Sequence, residues 1–272
     1  MVSNAKNYHI PVMLNEVVHE AQAFSKPKVL DATYGGGGHS KELQKFAGKL
    51  VVLDLDPKAE NHLLAGVELK RINFAKVDSL AGEFDIILAD LGLSQNQLAD
   101  TAKGFSYSSR IEQPLDMRLD DSLAITAAEL LKVLPHKQLV KMFSQYGHVR
   151  NSALLAREII AKRKTQPLTT NLELNELVRN SLGNTELARV YQALRVAVNL
   201  ELENLRLFID GALTKLTKRG MLLIITFHKG EEDVISLHPK IESRVVKPSG
   251  KEIQENPRSR SAKLFVITRK DS

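Results

Sequence analysis

A run of four glycines, Gly35–Gly38, is followed by His39 and comes shortly after an apolar segment that ends at Asp31. Glycine has no Cβ, so such a run can take positive φ and bring bare backbone amides against a ligand. Asp54 ends the next apolar segment, 16 residues after Gly38, and a carboxylate in that place suits the hydroxyl groups of a ribose. These residues predict a site for a nucleoside-containing cofactor.

The glycine run does not fit the common phosphate-binding motifs. A dinucleotide fingerprint needs Gly-x-Gly-x-x-Gly, but the third glycine would fall on Ser40 when counted from Gly35, and on Lys41 when counted from Gly36. The loop also lacks the Lys-Ser/Thr pair of a P-loop. S-adenosylmethionine needs less phosphate binding and more room for a carboxylate and a sulfonium, so it is the favoured cofactor. The alternative is a glycine-rich turn that binds nothing.

A third apolar segment ends in Asp90, directly before a glycine turn at Gly92. The exocyclic amine of cytosine or adenine is a poor nucleophile because its lone pair is delocalised into the ring. A carboxylate that accepts a hydrogen bond from this amine raises the electron density on nitrogen and can help to remove the proton. Asp90 is therefore a candidate catalytic residue for amino-group methylation. The alternatives are that it caps the next turn or binds the cofactor.

The elements that must position these residues are predicted from hydrophobic patterning. Four nearly continuous apolar runs indicate strands covered on both faces, at 29–32, 50–54, 84–90 and 221–227. Helical periodicity covers 126–134, 135–146, 151–164 and 171–182, and a longer amphipathic run covers 186–216. Short strands at 244–246 and 264–268 are expected at the far edge of the sheet. The predicted architecture is a parallel α/β domain (1–100 and 205–272) with a helical, substrate-holding insert (101–204).

Composition excludes several classes of protein. The 272 residues include no cysteine, which rules out a disulfide scaffold, a thiol nucleophile and a zinc-thiolate site. The eight histidines show no metal-ligand spacing, so no metal is expected. No apolar stretch approaches the roughly 20 residues that a membrane span needs. We therefore expect a cytoplasmic protein without a membrane partner.

Positive charge is concentrated in the predicted insert. Residues 1–100 carry 10 Lys+Arg against 13 Asp+Glu, whereas residues 101–200 carry 14 against 9. Within 132–164, Glu158 is the one acid among eight basic residues. This stretch indicates a footprint for a polyanion and favours nucleic acid as partner; the alternative is a solvated helix face. The basic residues are Lys132, Lys137, Lys141, Arg150, Arg157, Lys162, Arg163 and Lys164.

Taken together, several segments resemble the bacterial 16S ribosomal RNA cytosine-N4 methyltransferases, the RsmH (formerly MraW) family. The segments are HIPVMLNEVV (9–18), DATYGGGGHS (31–40), DLDPKA (54–59), DLGLSQNQL (90–98), GFSY (104–107), PLDMRLD (114–120), YQALRVAVNLEL (191–202), TFH (226–228) and NPRSRSAK (256–263). The resemblance covers nearly the whole chain. It implies a Rossmann-like S-adenosylmethionine-dependent methyltransferase fold with an inserted helical substrate-recognition domain. The implied reaction is methylation of a cytidine in the decoding region of small-subunit rRNA.

The resemblance also assigns residues. It implies cofactor contacts from Gly37, Gly38, His39, Asp54, Phe74, Asp90 and Gln97, with Phe74 against the adenine and with Asp90 and Gln97 at the methionine end.

Other residues are assigned to the substrate side. Asp116 and Arg118, on a loop after GFSY, are candidates to orient the base or close the pocket; alternatively they pair with each other or cap a helix of the insert. Arg258, Arg260 and Lys263 are expected to contact phosphate or to close over the active site, unless they are a solvated tail.

The expected partner is small-subunit rRNA or the 30S particle, and a homodimer is left open. Two rival functions stay open as well: a methyltransferase that acts on an amino group of DNA or protein, and a non-catalytic RNA-binding assembly factor.

Overall fold

The computed structural model describes residues 11–93, 97–98 and 100–270, and the chain forms two compact units. The sheet unit comprises Met1–Gly92 and Glu203–Ser272, and the helical unit comprises Leu93–Leu202. This division falls a few residues before the predicted boundaries at 100 and 204, which stay a prediction. The segment after Gly92 belongs with the helices because Leu93 and Leu98 pack against the apolar core of the helical unit.

The sheet unit contains a seven-stranded sheet in the order β3-β2-β1-β4-β5-β7-β6. Strands β1 to β5 are parallel, and β7 is antiparallel to both of its neighbours. Reversal of the strand order between β1 and β4 creates the crevice in which doubly wound sheets bind ligands. The strands are β1 Lys28–Asp31, β2 Lys49–Leu53, β3 Glu68–Lys70, β4 Phe84–Asp90, β5 Leu216–Thr226, β6 Ile241–Val246 and β7 Lys263–Arg269.

The predicted strands are present. Of the two that were predicted at the far edge, β6 forms that edge and β7 lies next to it, between β5 and β6. Strand β3 was missed because its three residues are short of apolar character and lie at the opposite edge. Strand β5 begins at Leu216, earlier than predicted, and its pairing with β4 shifts register between Phe84 and Ile86. The central strands bury Val29, Ile86 and Leu223 completely, which explains their nearly continuous apolar runs.

Helices connect the strands and form the helical unit. Helix α1 (Leu14–Ala21) precedes β1 in the chain, and α2 (Gly38–Leu43) follows the tip of β1. The helical unit contributes α3 to α7, and α8 to α10 follow. These are α3 Ala127–Val133, α4 His136–Gly147, α5 Ser152–Arg163, α6 Asn171–Ser181, α7 Leu187–Asn199, α8 Glu201–Lys215, α9 Lys229–Ser236 and α10 Gly250–Glu255.

The helical unit confirms the four helices predicted between 126 and 182. Two of them begin with reciprocal capping boxes, in which Thr126 pairs with Glu129 and Thr170 pairs with Glu173. Each threonine hydroxyl accepts from a backbone N–H of the first turn, and each glutamate accepts from the backbone N–H of its threonine. These sequence-local pairs explain why the helix starts were predictable.

The long amphipathic run predicted at 186–216 is not one helix. It is split at Leu200, which has φ 51° and separates α7 from α8. A leucine in the left-handed region carries a steric cost, so the break is held by tertiary contacts. Buried Asn199 supplies them: it donates to the carbonyl of Met117 at 2.8 Å and accepts from the backbone N–H of Leu119 at 2.7 Å.

Across the described ranges, none of the helices combines the length and apolar character that crossing a membrane requires.

Candidate active site

The glycine loop joins β1 to α2. Gly35 has φ 51° and Gly37 has φ 73°. A Cβ on Gly37 would lie 2.8 Å from the hydroxyl of Tyr34, and one on Gly38 would lie 2.3 Å from Cγ of Pro11. A Cβ on Gly36 would meet no atom within 4 Å. Gly37 and Gly38 are thus needed by protein packing, whereas Gly36 faces open space that a ligand can enter.

Asp54 holds the glycine loop in place from just beyond the end of β2. Its Oδ2 accepts from the backbone N–H of Gly35 at 2.9 Å, and its Oδ1 accepts from that of Asp56 at 2.8 Å. His62 Nε2 donates to the carbonyl of Gly35 at 2.7 Å, and the Tyr34 hydroxyl donates to the carbonyl of His62 at 2.9 Å. Burial raises the pKa of Asp54. Sequence reasoning placed Asp54 here but missed Tyr34 and His62.

A second buried acid, Asp31, ends β1 and was not among the predicted site residues. Its Oδ2 accepts from the hydroxyl of Ser40 at 2.6 Å, and its Oδ1 accepts from the backbone N–H of Thr33 at 3.1 Å. Burial raises the pKa of Asp31 to about 6 in spite of these hydrogen bonds, and the charge of Asp54 adds to the rise. Its position at a strand tip beside the glycine run was the available signal.

Asp90 ends β4, and its carboxyl group points toward the same strand tips. Its backbone N–H donates to the hydroxyl of Thr33 at 2.7 Å. Its side chain is 27% exposed, yet Oδ1 is buried and has no hydrogen-bond partner among the described residues. Oδ2 lies 3.8 Å from Nδ1 of His39, whose Nε2 donates to the carbonyl of Val12 at 3.0 Å. His39 thus lies between the segment before α1 and the tip of β4.

The acids of the sheet unit interact with one another. Burial raises the pKa of Asp90 well above its usual range, and the charges of Asp31 and Glu231 raise it further. Glu231, in the first turn of α9, is itself buried and accepts from the backbone N–H of Phe227 at 2.7 Å. The raised pKa values come mainly from the loss of hydration on burial, and repulsion between neighbouring carboxyl groups adds to the rise. The site is therefore suited to a cationic ligand and unsuited to a pyrophosphate.

The remaining predicted cofactor residues lie on different units. Phe74 begins a 3-10 turn (Phe74–Ser79) after β3, is half-buried and packs edge-on against Phe208 at 5.2 Å between ring centroids. Gln97 is half-buried, helical and part of the helical unit. Contact of either residue with a cofactor stays a prediction.

In the helical unit, Asp116 and Arg118 bind each other. Arg118 Nε donates to Oδ1 of Asp116 at 2.9 Å and Nη2 donates to Oδ2 at 2.7 Å, while Nη1 donates to the carbonyl of Leu123 at 2.8 Å. Burial alone would raise the pKa of Asp116, but the hydrogen bonds from Arg118 outweigh it and leave that pKa lowered. The structure thus contains the pairing that we gave as the alternative interpretation.

The loop that carries this ion pair has a tightly constrained backbone. Met117, between the paired residues, is fully buried at φ 58°. A Cβ on Gly104 would lie 1.9 Å from the carbonyl oxygen of Pro114. The Asn199 contacts to Met117 and Leu119 fix the same loop from α7. Asn199 was missed because a lone asparagine in an amphipathic helix gives no signal of a contact across 80 residues.

The basic residues of 132–164 do not all belong to one surface. Arg163 is half-buried, and its Nη1 donates to the carbonyls of Leu131 at 2.9 Å and Leu134 at 2.7 Å. It therefore caps the end of α3, and we expect this structural role to reduce its share in the predicted footprint. Lys132, Lys137 and Lys141 are exposed.

The basic tail of the sheet unit is divided as well. Arg258 and Arg260 are exposed on a 3-10 turn (Pro257–Ser261), whereas Lys263 donates to Glu232 at 2.7 Å. Phosphate contacts by the two arginines stay a prediction, and Lys263 has a local role in pairing with α9.

The strand order, the glycine loop after β1 and the acids at the tips of β1, β2 and β4 define a Rossmann-like domain of the methyltransferase type. The sequence profile of the MraW methylase family matches residues 6–244. The chain belongs to the MraW methylase family, which confirms the resemblance found in the sequence.

Three relatives illustrate this membership, and each is called ribosomal RNA small subunit methyltransferase H. The protein of Cyanothece sp. is 36% identical over 97% of this chain and 95% of its own length. That of Bacteroides fragilis is 33% identical over 99% and 100%, and that of Heliobacterium mobile is 34% identical over 95% and 98%. Among solved structures, an rRNA methylase from Streptococcus thermophilus aligns over 94% of this chain and 95% of that chain, with 13% identity and a TM-score of 0.42.

Proposed function

We propose that this chain transfers a methyl group from S-adenosylmethionine to N4 of a cytidine in the decoding region of small-subunit (16S) ribosomal RNA. Membership of a methylase family supports the methyl transfer. The shared name of the relatives supports small-subunit rRNA as substrate. The observation in the structure that carries the proposal is the placement of the Asp31, Asp54 and Asp90 carboxyl groups at the strand tips beside the glycine loop, because such a set of acids favours a cationic methyl donor.

The residues present fit this cofactor. When bound, S-adenosylmethionine supplies an electrophilic methyl group on a positively charged sulfur. The open space at Gly36 gives room at the loop backbone. The Asp54 carboxylate, which the backbone of Gly35 and Asp56 holds in place, supplies acceptor oxygens for a ribose diol. Phe74 offers a partly exposed ring for the adenine. Asp31 and Asp90 supply negative charge for the amino and sulfonium groups.

Asp90 is proposed to act on the substrate amine. Its buried Oδ1 lacks a partner among the described residues, and a buried acceptor gains by receiving a hydrogen bond. We assign the Asp90 carboxyl group, whose side chain is partly exposed, to the N4–H of cytidine. The raised pKa makes the carboxyl group a competent acceptor for the proton that N4 must release. No covalent intermediate is required.

Asp116 and Arg118 are proposed to shape the substrate side rather than to contact the reacting atoms. The guanidinium of Arg118 already donates from Nε, Nη1 and Nη2 within the helical unit. A loop held this firmly presents a fixed surface to a flipped base. Arg258 and Arg260 are exposed and are proposed to contact phosphate.

The proposed substrate form is the rRNA of a 30S particle in the cytoplasm, where ribosomes assemble. The homodimer that the sequence left open stays a prediction.

The decisive experiment analyses rRNA from a strain that lacks the gene. Small-subunit rRNA nucleosides are quantified by mass spectrometry with and without a plasmid that restores the chain. We expect N4-methylcytidine to be lost in the deletion strain and restored by the plasmid. Unchanged N4-methylcytidine would mean that the substrate is a different amino group, on DNA or protein. Absence of calorimetric binding of S-adenosylmethionine would point to a non-catalytic assembly factor.

The role of Asp90 is tested by Asp90→Asn, which keeps the shape but removes the proton acceptor. We expect kcat to fall by roughly 100-fold or more, while the affinity for S-adenosylmethionine changes by less than about tenfold. Steady-state methylation of 30S particles and calorimetry separate the two quantities. Asp78→Asn, at an exposed acid outside the strand tips, is the matched control. A kcat close to wild type would show that Asp90 is not the amine acceptor.

A further inference from the structure

The helical unit contains an open cavity of ≈270 Å³, and none of the residues assigned to the proposed reaction lines it. It lies where the turn after α3, helix α4 and helix α7 meet. Met142 is buried, Tyr146 and Ala197 are half-buried, and Gln138 and Lys141 are exposed. The floor is thus apolar and the rim is polar. The lining residues are Leu134, Gln138, Lys141, Met142, Tyr146 and Ala197.

The cavity is rigid at its far side. Gln192 of α7 donates from Nε2 to the carbonyl of Tyr146 at 2.9 Å, which fixes the last turn of α4 against α7. Phe143 and Leu139, on the inner side of α4, are fully buried. The tyrosine ring is therefore held on a well-packed helix rather than on a loop.

The segments that line the cavity carry basic residues and no acidic ones. Lys132, Lys137 and Lys141 are exposed, and the sequence contains no Asp or Glu between Glu129 and Glu158. Helix α7, which forms the other wall, contains no acid either. Lys137 and Lys141 are one helical turn apart, an arrangement that costs stability in an isolated helix. The lysines are therefore placed to meet an anionic partner.

An apolar floor with a cationic rim suits a single-stranded nucleic acid better than a free anion. Unstacked RNA bases bind on aromatic and apolar side chains, and their edges are read by amide groups such as that of Gln138. Pockets for drug-sized ligands span about 300–1,000 Å³, so ≈270 Å³ suits one base rather than a larger molecule. Flanking phosphates would meet Lys137 and Lys141.

We propose that this cavity binds one unstacked base of the RNA substrate, distinct from the methylated cytidine, with Lys137 and Lys141 on the flanking phosphates. The inference rests on the proposed function, since it requires an RNA substrate. It adds a second base contact that lies wholly within the helical unit and needs no cofactor residue.

The first test fills the cavity without changing its charge. Ala197→Leu narrows the pocket, and Ala153→Leu, at an exposed alanine of α5, is the matched control. The full-length chain is titrated with a fluorescein-labelled single-stranded oligonucleotide of the decoding-region sequence. We expect Ala197→Leu to weaken binding by roughly 5- to 150-fold, the value of one stacked base, and the control to bind like wild type. Equal affinities of the two variants would overturn the proposal.

A second variant keeps the test valid if Ala197→Leu fails to fold. Gln138→Ala removes an exposed amide from the rim, and Gln145→Ala removes an exposed amide elsewhere on α4. We expect the first change, and not the second, to weaken binding and alter base preference at one position. Identical behaviour of these two variants would also contradict the proposal.

The lysines are tested through salt dependence. Lys137→Gln and Lys141→Gln should each reduce the slope of log K against log salt by about 0.7, the value for one single-strand phosphate. Lys218→Gln, at an exposed lysine of β5, should leave the slope unchanged. Ala197→Leu should weaken binding with an unaltered slope. Unaltered slopes for both α4 lysines would refute the phosphate contacts.

Methylation assays distinguish failure of this inference from failure of the proposed function. If wild type methylates 30S rRNA and Ala197→Leu raises KM with unchanged kcat, the result supports both the proposed function and the base pocket. If wild type methylates rRNA but Ala197→Leu has wild-type KM, only the base pocket is wrong. If the variant binds naked RNA normally and loses affinity only for 30S particles, the cavity contacts a ribosomal protein instead. If wild type methylates no rRNA, the proposed function itself fails.

Discussion

Strands β1 and β4 each end in an aspartate, and an aspartate directly follows β2. These three residues set the chemistry of the site. Asp54 holds the glycine loop, Asp31 is bound by Ser40 and Thr33, and Asp90 retains a buried acceptor atom. Burial raises the pKa of each. Repulsion between the acids is tolerable in a protein that works with a positively charged ligand bound, because the ligand then neutralises them.

Asp31 makes the stability of the chain depend on pH. Its pKa rises from 3.8 to about 6 on folding, so between these values the folded state binds more protons than the unfolded state. Stability therefore falls as pH rises through this window. Relative to Asp31→Asn, the wild type should lose about 3 kcal/mol in free energy of unfolding from pH 3.5 to pH 7. Urea titrations of both proteins in the absence of cofactor measure this difference, and parallel pH curves would contradict it.

Gly36 provides a test of ligand position that is separate from folding. A Cβ there meets no protein atom within 4 Å, and the backbone is outside the left-handed region. We expect Gly36→Ala to leave the free energy of unfolding within about 0.5 kcal/mol of wild type and to weaken S-adenosylmethionine at least tenfold. Gly250→Ala, whose Cβ also enters open space, should change neither quantity. Calorimetry and urea unfolding are the measurements; undiminished affinity in Gly36→Ala would place the cofactor elsewhere.

At the scale of elements, helix ends show which features are local. The capping boxes at Thr126 and Thr170 lie within four residues of sequence and were predictable as helix starts. The end of α3 depends on Arg163, which is about 30 residues away in the chain. The break at Leu200 depends on the contacts of Asn199 with the 117–119 loop. Hydrophobic periodicity continues across that break, so the sequence predicted one run where the structure has two helices.

Arg163 is expected to contribute stability rather than RNA affinity. Its guanidinium donates to two carbonyls at the end of α3, and hydrogen bonds to charged groups contribute about 1.5–3 kcal/mol each. Both bonds start from the one nitrogen Nη1, so Arg163→Ala should lower the free energy of unfolding by roughly 1.5–3 kcal/mol. The salt slope of RNA binding should stay unchanged. Lys164→Ala, at the exposed neighbour, should change stability by less than about 0.5 kcal/mol. A stable Arg163→Ala protein with a flattened salt slope would return Arg163 to the polyanion surface.

For the whole molecule, charge follows the division into units. The acidic strand tips lie in the sheet unit, and residues 101–200, which lie almost entirely in the helical unit, carry 14 basic against 9 acidic residues. A cationic cofactor and an anionic nucleic acid thus have separate electrostatic targets in one chain. Net charge alone, +6 for all 272 residues, hides this separation.

Hydrogen exchange on the intact chain tests the separation directly. S-adenosylmethionine should slow exchange in peptides that cover 34–40 and 54–56, and leave 134–146 unchanged. The single-stranded oligonucleotide should slow exchange in 134–146. Ligand binding protects through the stability that it adds, about 2.7 kcal/mol at a concentration of 100 Kd. Protection of 134–146 by the cofactor alone would show that the helical unit responds to the cofactor and would contradict the assignment.

By itself, the sequence determined the strand tips and the class of cofactor. Parallel strands bring their carboxyl ends to one edge, so an apolar run followed by glycine or aspartate predicts both a strand and a site residue. Family motifs added Phe74, Gln97, Asp116 and Arg118 as candidates. Tertiary structure alone decided that Asp116 and Arg118 are bound to each other, that Arg163 caps a helix and that Asp31 belongs with Asp54 and Asp90. These outcomes depend on packing and shared burial between separate segments, which no local pattern encodes.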